Sequence, residues 1–147
     1  MFSYNPDKFR EIDHTADIGL RAEGDTLPEL FANLAFGMIH IIAANAERPK
    51  NTHLLIEIRE KSETDLIVSW LSEINYHLTV HHFLLSEIKN MKVDMIEDGF
   101  HLKANLTGTN ILHHHTELRT EIKAVTYHQL VFEKIEGVYV GQVIFDI

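Results

Sequence analysis

Between residues 17 and 23, Ile18, Leu20 and Ala22 alternate with Gly19, Arg21 and Glu23. That period of two predicts a half-buried strand. A shorter strand over 8–12 precedes it, and the two flank a corner at 13–17. The period then changes. Leu30, Phe31, Leu34, Met38, Ile41 and Ile42 fall on one face at helical spacing, and predict a helix over 27–43. Thr26 and Glu29 are spaced as a capping box, and Pro28 sits early, where its missing N–H costs little. A polar, Pro49-containing loop over 44–52 leads to a strand in which Leu54, Ile56 and Ile58 alternate with their neighbours. Ile67, Trp70, Leu71, Ile74 and Leu78 predict a second helix over 63–82. Strand character returns at 84–96 and 100–106, joined by a Glu97-Asp98-Gly99 turn. A polar loop over 108–118 follows, then strands over 121–135 and 138–145, joined at Glu136-Gly137. This order predicts an α+β fold: one domain spanning 1–147, with two main helices packed on a largely antiparallel sheet.

Composition sharpens the picture at one point. Twenty-two acidic residues against 13 basic ones give a formal charge of −9. A chain that binds RNA by itself carries a basic patch. Here the short basic groups, Lys89, Lys92 and Lys103, or Arg119 and Lys123, are interrupted by acids. The balance favours a cation or a protein partner over strong direct nucleic-acid binding. Eleven histidines would carry the formal charge to +2 if all were protonated, so behaviour below about pH 6.5 should differ from that at neutral pH. With no cysteine, disulfides and thiolate sites are excluded. The absence of a signal-like or membrane-spanning apolar run points to a soluble, cytoplasmic protein with no membrane partner.

Candidate chemistry gathers in two words at opposite ends of the chain. Asp13-His14-Thr15-Ala16-Asp17 places two carboxylates four apart, and Phe145-Asp146-Ile147 places another beside the last residue. Hard divalent cations prefer such oxygen donors. Aspartates at strand ends also cap backbone N–H groups with no metal present, so spacing leaves both readings open. Two histidine groups invite comparison. Glu73, His77 and His81 share one helical face, and His113-His114-His115 lies in the polar loop. Either offers imidazole nitrogens of the kind that zinc or nickel takes, but the first lacks a His-Glu-x-x-His arrangement, and consecutive loop histidines do not converge on one metal. No phosphate-cradling glycine loop or Gly-x-Ser-x-Gly elbow is present.

Four words in order, namely 13–17, Gly24-Asp25-Thr26-Leu27-Pro28-Glu29-Leu30-Phe31, Glu121-Ile122-Lys123-Ala124-Val125-Thr126-Tyr127-His128 and the final 143–147, resemble those of the archease family over nearly the whole chain. The resemblance implies an accessory protein of an RtcB-type tRNA-splicing RNA ligase. Such a helper is not itself an enzyme. It promotes guanylylation and repeated turnover of the ligase through a transient contact. The resemblance also implies a bound divalent cation, calcium foremost, with magnesium or manganese also suited. It assigns Asp17, Asp146 and Ile147 as metal ligands and places Asp13, Asp25 and Lys123 on the functional surface. The His113–His115 loop departs from the acidic and basic loop of many archeases, so no partner contact is transferred there. Two readings stand against this one: a chaperone-like modulator of nucleic-acid-modifying proteins, and a metal-dependent phosphoester hydrolase built on Asp13, Asp17 and Asp146.

Overall fold

The computed structural model describes residues 1–14, 17–43 and 47–147, with Asp13 and His14 described by backbone alone. After a short 3-10 turn at Pro6–Lys8, the elements are β1 (Phe9–His14), β2 (Asp17–Gly24), α1 (Leu27–Ile42), β3 (Thr52–Glu60), α2 (Glu63–His81), β4 (Phe83–Ile96), β5 (Gly99–Asn110), β6 (Ala124–Ile135) and β7 (Val138–Asp146). The strands form two antiparallel sheets rather than one. A four-stranded sheet has the order β1-β2-β7-β6, and a three-stranded sheet the order β3-β5-β4. The α+β class and the two helices are as the periodicity predicts; the division into sheets depends on pairing partners, which periodicity does not carry.

Helix α1 sits at the centre. It packs on β2, β1 and β7 of one sheet, on β4 of the other, and on α2. Its apolar residues are therefore buried nearly all round, Ala32, Ala35, Phe36 and Ile39 as well as the predicted stripe. A helix hydrophobic on every side belongs in a core. Its one strongly buried amide, Asn33, is satisfied by donating to the Glu23 carbonyl at 2.8 Å. Helix α2 covers β6 of the larger sheet and the inner face of the smaller one. The two helices are pinned by Trp70, fully buried, whose indole Nε1–H donates to the Phe31 carbonyl at 2.8 Å.

The start of α1 explains one family-like word, and its end shows a contact that no word announced. At the start of α1 the Thr26 hydroxyl accepts from the Glu29 N–H at 3.2 Å, and the Glu29 carboxylate accepts from the Asp25 N–H at 3.3 Å. This is a capping box whose returning arm reaches one residue further out than usual. Gly24 lets the helix start lie directly on the strand end, since a Cβ there would stand 2.4 Å from the Leu30 nitrogen. At the other end no glycine terminates α1. The Arg119 guanidinium instead donates to the His40 and Ala43 carbonyls, and the Arg119 N–H to the Ile42 carbonyl at 2.7 Å. The last carbonyls of a helix need donors and favour positive charge, and a segment 76 residues away supplies both.

The largest boundary differences from expectation fall at β5 and β6. β5 runs to Asn110, four residues past the expected end, because Thr107, Gly108 and Thr109 are buried despite their polar appearance. β6 begins at Ala124 rather than at residue 121. Part of the loop expected over 44–52 lies outside the described residues, and β3 already begins at Thr52. Among the described residues no helix is long and apolar enough to cross a membrane.

Candidate functional site

The two ends of the chain meet through β2 and β7. Ile18 pairs with Phe145, so Asp17 and Asp146 each lie one residue beyond that pair, on neighbouring strand ends. β1 closes one flank, with Asp13 opposite Ile18 and His14 opposite Asp17. β6 closes the other, with Ala124 opposite Asp146 and the Lys123 N–H donating to the Asp146 carbonyl at 2.8 Å. Four strand termini thus share one end of the larger sheet.

Each terminus is held by the residue next to it. Phe145 is fully buried and fixes the end of β7, while Asp146 is exposed and Ile147 is 37% exposed. A chain end tied down in this way does not fray. Ile122 is buried beneath exposed Lys123, and its carbonyl accepts from the Asn75 amide of α2 at 2.8 Å. Asp17, Lys123, Asp146 and Ile147 are therefore brought together.

Asp25 is not brought there. It is exposed and follows the far end of β2, an eight-residue strand, which places it about 25 Å from Asp17 along the strand axis. The backbone of Asp13 lies at the site, but its side chain lies outside the described residues.

Among the described residues no three His, Asp or Glu side chains are grouped to hold a metal ion. The oxygens gathered at the strand ends come from two aspartates and the main chain of Ile147. Those donors suit a hard cation. The histidine groups offer no such convergence. His77 Nε2 is 3.3 Å from Glu73 and its ring stands 5.3 Å from that of His81, yet the three form no metal group. His113 to His115 lie in the turn after β5.

Sequence reasoning missed the irregularity in β6. Thr126 pairs with Ile144 and Val131 with Gln142, so 127–130 oppose a single β7 residue. The bulge is held by the Thr126 hydroxyl donating to the Ile144 carbonyl at 2.8 Å and by the Gln142 amide donating to the Gln129 carbonyl at 3.2 Å. Gln129 adopts φ 50°, a left-handed backbone uncommon for a non-glycine residue. Bulges of this kind turn side chains out beside functional sites. Here the exposed Tyr127 reaches α2, its hydroxyl donating to Asp65 at 2.7 Å.

That bond titrates at both ends. The Tyr127 hydroxyl, and then Ser62, hold the Asp65 carboxyl below its ordinary range. The Asp65 carboxylate pushes the Tyr127 phenol up to about 12. A depressed carboxyl contributes stability above its unfolded pKa, about 3.9, and loses it as pH falls through the folded value. The raised phenol contributes below about 10 and loses it as pH climbs toward 12. Tyr127→Phe is thus expected to melt lower than wild type near neutral pH, and the two melting curves should converge below about pH 4. A constant gap across that range in thermal unfolding would show that the bond contributes no pH-dependent stability.

A small α+β domain with a shared acidic strand-end site is the class that this geometry defines. The model of the archease protein family matches residues 9–147. The protein archease of Methanosarcina mazei is 32% identical over 140 residues, which cover 95% of this chain and 96% of that one. The protein archease of Thermococcus kodakarensis is 30% identical over 142 residues, covering 95% and 99%. The solution structure of Methanobacterium thermoautotrophicum protein 1598 superposes with a TM-score of 0.84 at 30% identity, covering 95% and 99%. A Thermotoga maritima crystal structure, described as an archease and possible chaperone, shares the fold with a TM-score of 0.63 at 23% identity. The chain belongs to the archease family.

Proposed function

We propose that this protein is a cation-binding helper of an RtcB-type tRNA-splicing RNA ligase. The observation that carries the reading is the meeting of Asp17, Lys123, Asp146 and Ile147 at one end of the larger sheet, from words more than 100 residues apart. In this reading Asp17 and Asp146 hold a hard divalent cation through their carboxylates, and Ile147 through a main-chain oxygen. Calcium fits first, and magnesium or manganese are also suited. The cation supplies a concentrated positive charge on an otherwise acidic surface. Lys123, just before the adjacent strand β6, offsets the carboxylates when the cation is absent and presents an ammonium to the partner when it is bound.

Charge and placement support the helper role. An acidic chain with an exposed strand-end site suits a brief encounter with a basic surface beside a nucleic-acid enzyme's active site. A helper that acts on many ligase molecules must also leave, so the contact area falls in the range of transient interfaces. Guanylylation and ligation chemistry stay with the ligase; this chain positions and releases. Asp13 belongs to the same surface by backbone position. Asp25, far along β2, acts at most through a separate contact. Ligation turnover with and without this protein, and with Asp17→Ala in its place, tests the reading.

A further inference from the structure

Besides the strand-end site, we infer that the open face of the three-stranded sheet binds an RNA strand through its phosphates. The helices cover one face of this sheet and leave the other to solvent. Across the open face the register sets Glu57, Lys103 and Lys92 side by side, then Arg59, His101 and Asp94 one step along. Lys89 lies further up the same face, beside Asn105. On the solvent-exposed part of this face Arg59, Lys89, Lys92 and Lys103 stand against only Glu57 and Asp94, while Glu87, held by Lys50 at 3.7 Å, is buried at its far end. In a chain of charge −9 this excess of cations runs against the overall balance.

Two of the nearby carboxylates are already engaged, exposed Asp94 being the exception. Glu87 lies between Lys50 and Lys89, the latter at 3.4 Å, and accepts from Thr107. Glu57 lies 3.5 Å from Arg59 and 3.2 Å from His101, and the His101 bond holds its carboxyl below the ordinary range. Lys92 and Lys103 are exposed direct cross-strand neighbours, and neither forms an ion pair among the described residues. Like charges placed directly opposite repel, and a bound anion relieves that cost.

Neighbouring strands lie about 4.8 Å apart, so Arg59 on β3, Lys103 on β5 and Lys92 and Lys89 on β4 spread positive charge across the sheet, over a wider span than one point anion covers. The face carries amides at Asn90 and Asn105, whereas the aromatic residues of these strands, Phe83 and Phe100, pack in or against the core, so recognition is electrostatic and sequence-tolerant. Naming the polyanion as RNA rests on the ligase-helper reading; the charge pattern stands without it.

The probe is a fluorescein-labelled 12-nucleotide uridine RNA, followed by anisotropy with the full chain and no ligase. Binding is expected at 50 mM salt and should weaken about 18-fold by 200 mM, the dependence of three phosphate contacts on a single strand. The Lys92→Glu/Lys103→Glu pair should weaken it at least tenfold at 50 mM, whereas Lys92→Arg/Lys103→Arg and Asp17→Ala should preserve it. The inference is overturned if wild type fails to bind at 50 mM, or if the charge reversal binds as wild type does. It is equally overturned if polyglutamate of equal charge displaces the RNA as readily as unlabelled RNA, which would assign the face to an acidic protein. Because ligase turnover is measured separately, failure of this face leaves the helper reading standing, and failure of the helper reading leaves the anisotropy result intact.

Discussion

Replacing Trp70 with alanine is expected to cost about 3–5 kcal/mol of folding stability, the range for truncating a large buried aromatic. The indole is fully buried between the helices and its N–H donates to the Phe31 carbonyl. Truncation leaves a cavity beside α1, the element that both sheets share. Domains of this size hold about 5–15 kcal/mol in total, so the variant would sit near its unfolding threshold. Trp70→Phe separates the contributions. It keeps most of the apolar volume and removes the hydrogen bond, for an expected loss of about 1–3 kcal/mol. Trp70 is the chain's single tryptophan, so urea unfolding is best followed by far-ultraviolet circular dichroism. A loss below about 1 kcal/mol for the alanine variant would mean that the two helices do not depend on this contact.

The second large effect falls on the proposed cation site. Asp17→Ala and Asp146→Ala should each weaken calcium binding at least tenfold, since changes to groups behind metal ligands already cost about 10–100-fold. Calorimetry gives the affinity directly. Thermal unfolding gives an independent readout, because a ligand present at about 100 times its dissociation constant adds about 2.7 kcal/mol to the folded state. Wild type should therefore melt higher with calcium, and both variants should lose most of that gain. Asp25→Ala should retain it, as Asp25 lies beyond the opposite end of β2. Equal affinity in all three variants and wild type would remove the strand-end site as the cation's location.

Much of the fold was readable because local chemistry and tertiary structure agree. Thr26, Pro28 and Glu29 announce α1, and the structure closes its capping box with the same side chains. The alternation from Ile18 to Ala22 marks β2 within a residue or two of its ends. Where the reading stopped short, a distant residue decides the outcome. Thr107 and Thr109 look like loop residues until β5 is seen buried between its neighbours. Gly108 looks like a turn glycine, but a Cβ there would stand 2.1 Å from the Leu84 carbonyl oxygen of β4. Arg119 looks like a surface charge until it caps a helix that ended 76 residues earlier.

The candidate site shows the same division. Its residue types, carboxylates with one lysine, could be read off three words. Their meeting could not, because it is made by β2 pairing with β7 across nearly the full length of the chain. Periodicity carries no information about such pairing, and here family resemblance supplied the expectation. For Asp25 the resemblance and the geometry part: the residue sits in a family-like word, yet that word serves the start of α1 rather than the strand-end cluster.

The most direct measurement is a ligation time course. It uses the same organism's ligase at catalytic concentration, guanosine triphosphate, manganese, and an RNA whose ends carry a 3′-phosphate and a 5′-hydroxyl. Ligase alone is expected to stop near one product per enzyme. Added wild-type protein should sustain many turnovers, and Asp17→Ala should fall back toward the ligase alone. Three coincident curves from a ligase known to be competent would contradict the helper function, and leave the acidic strand ends with some other task.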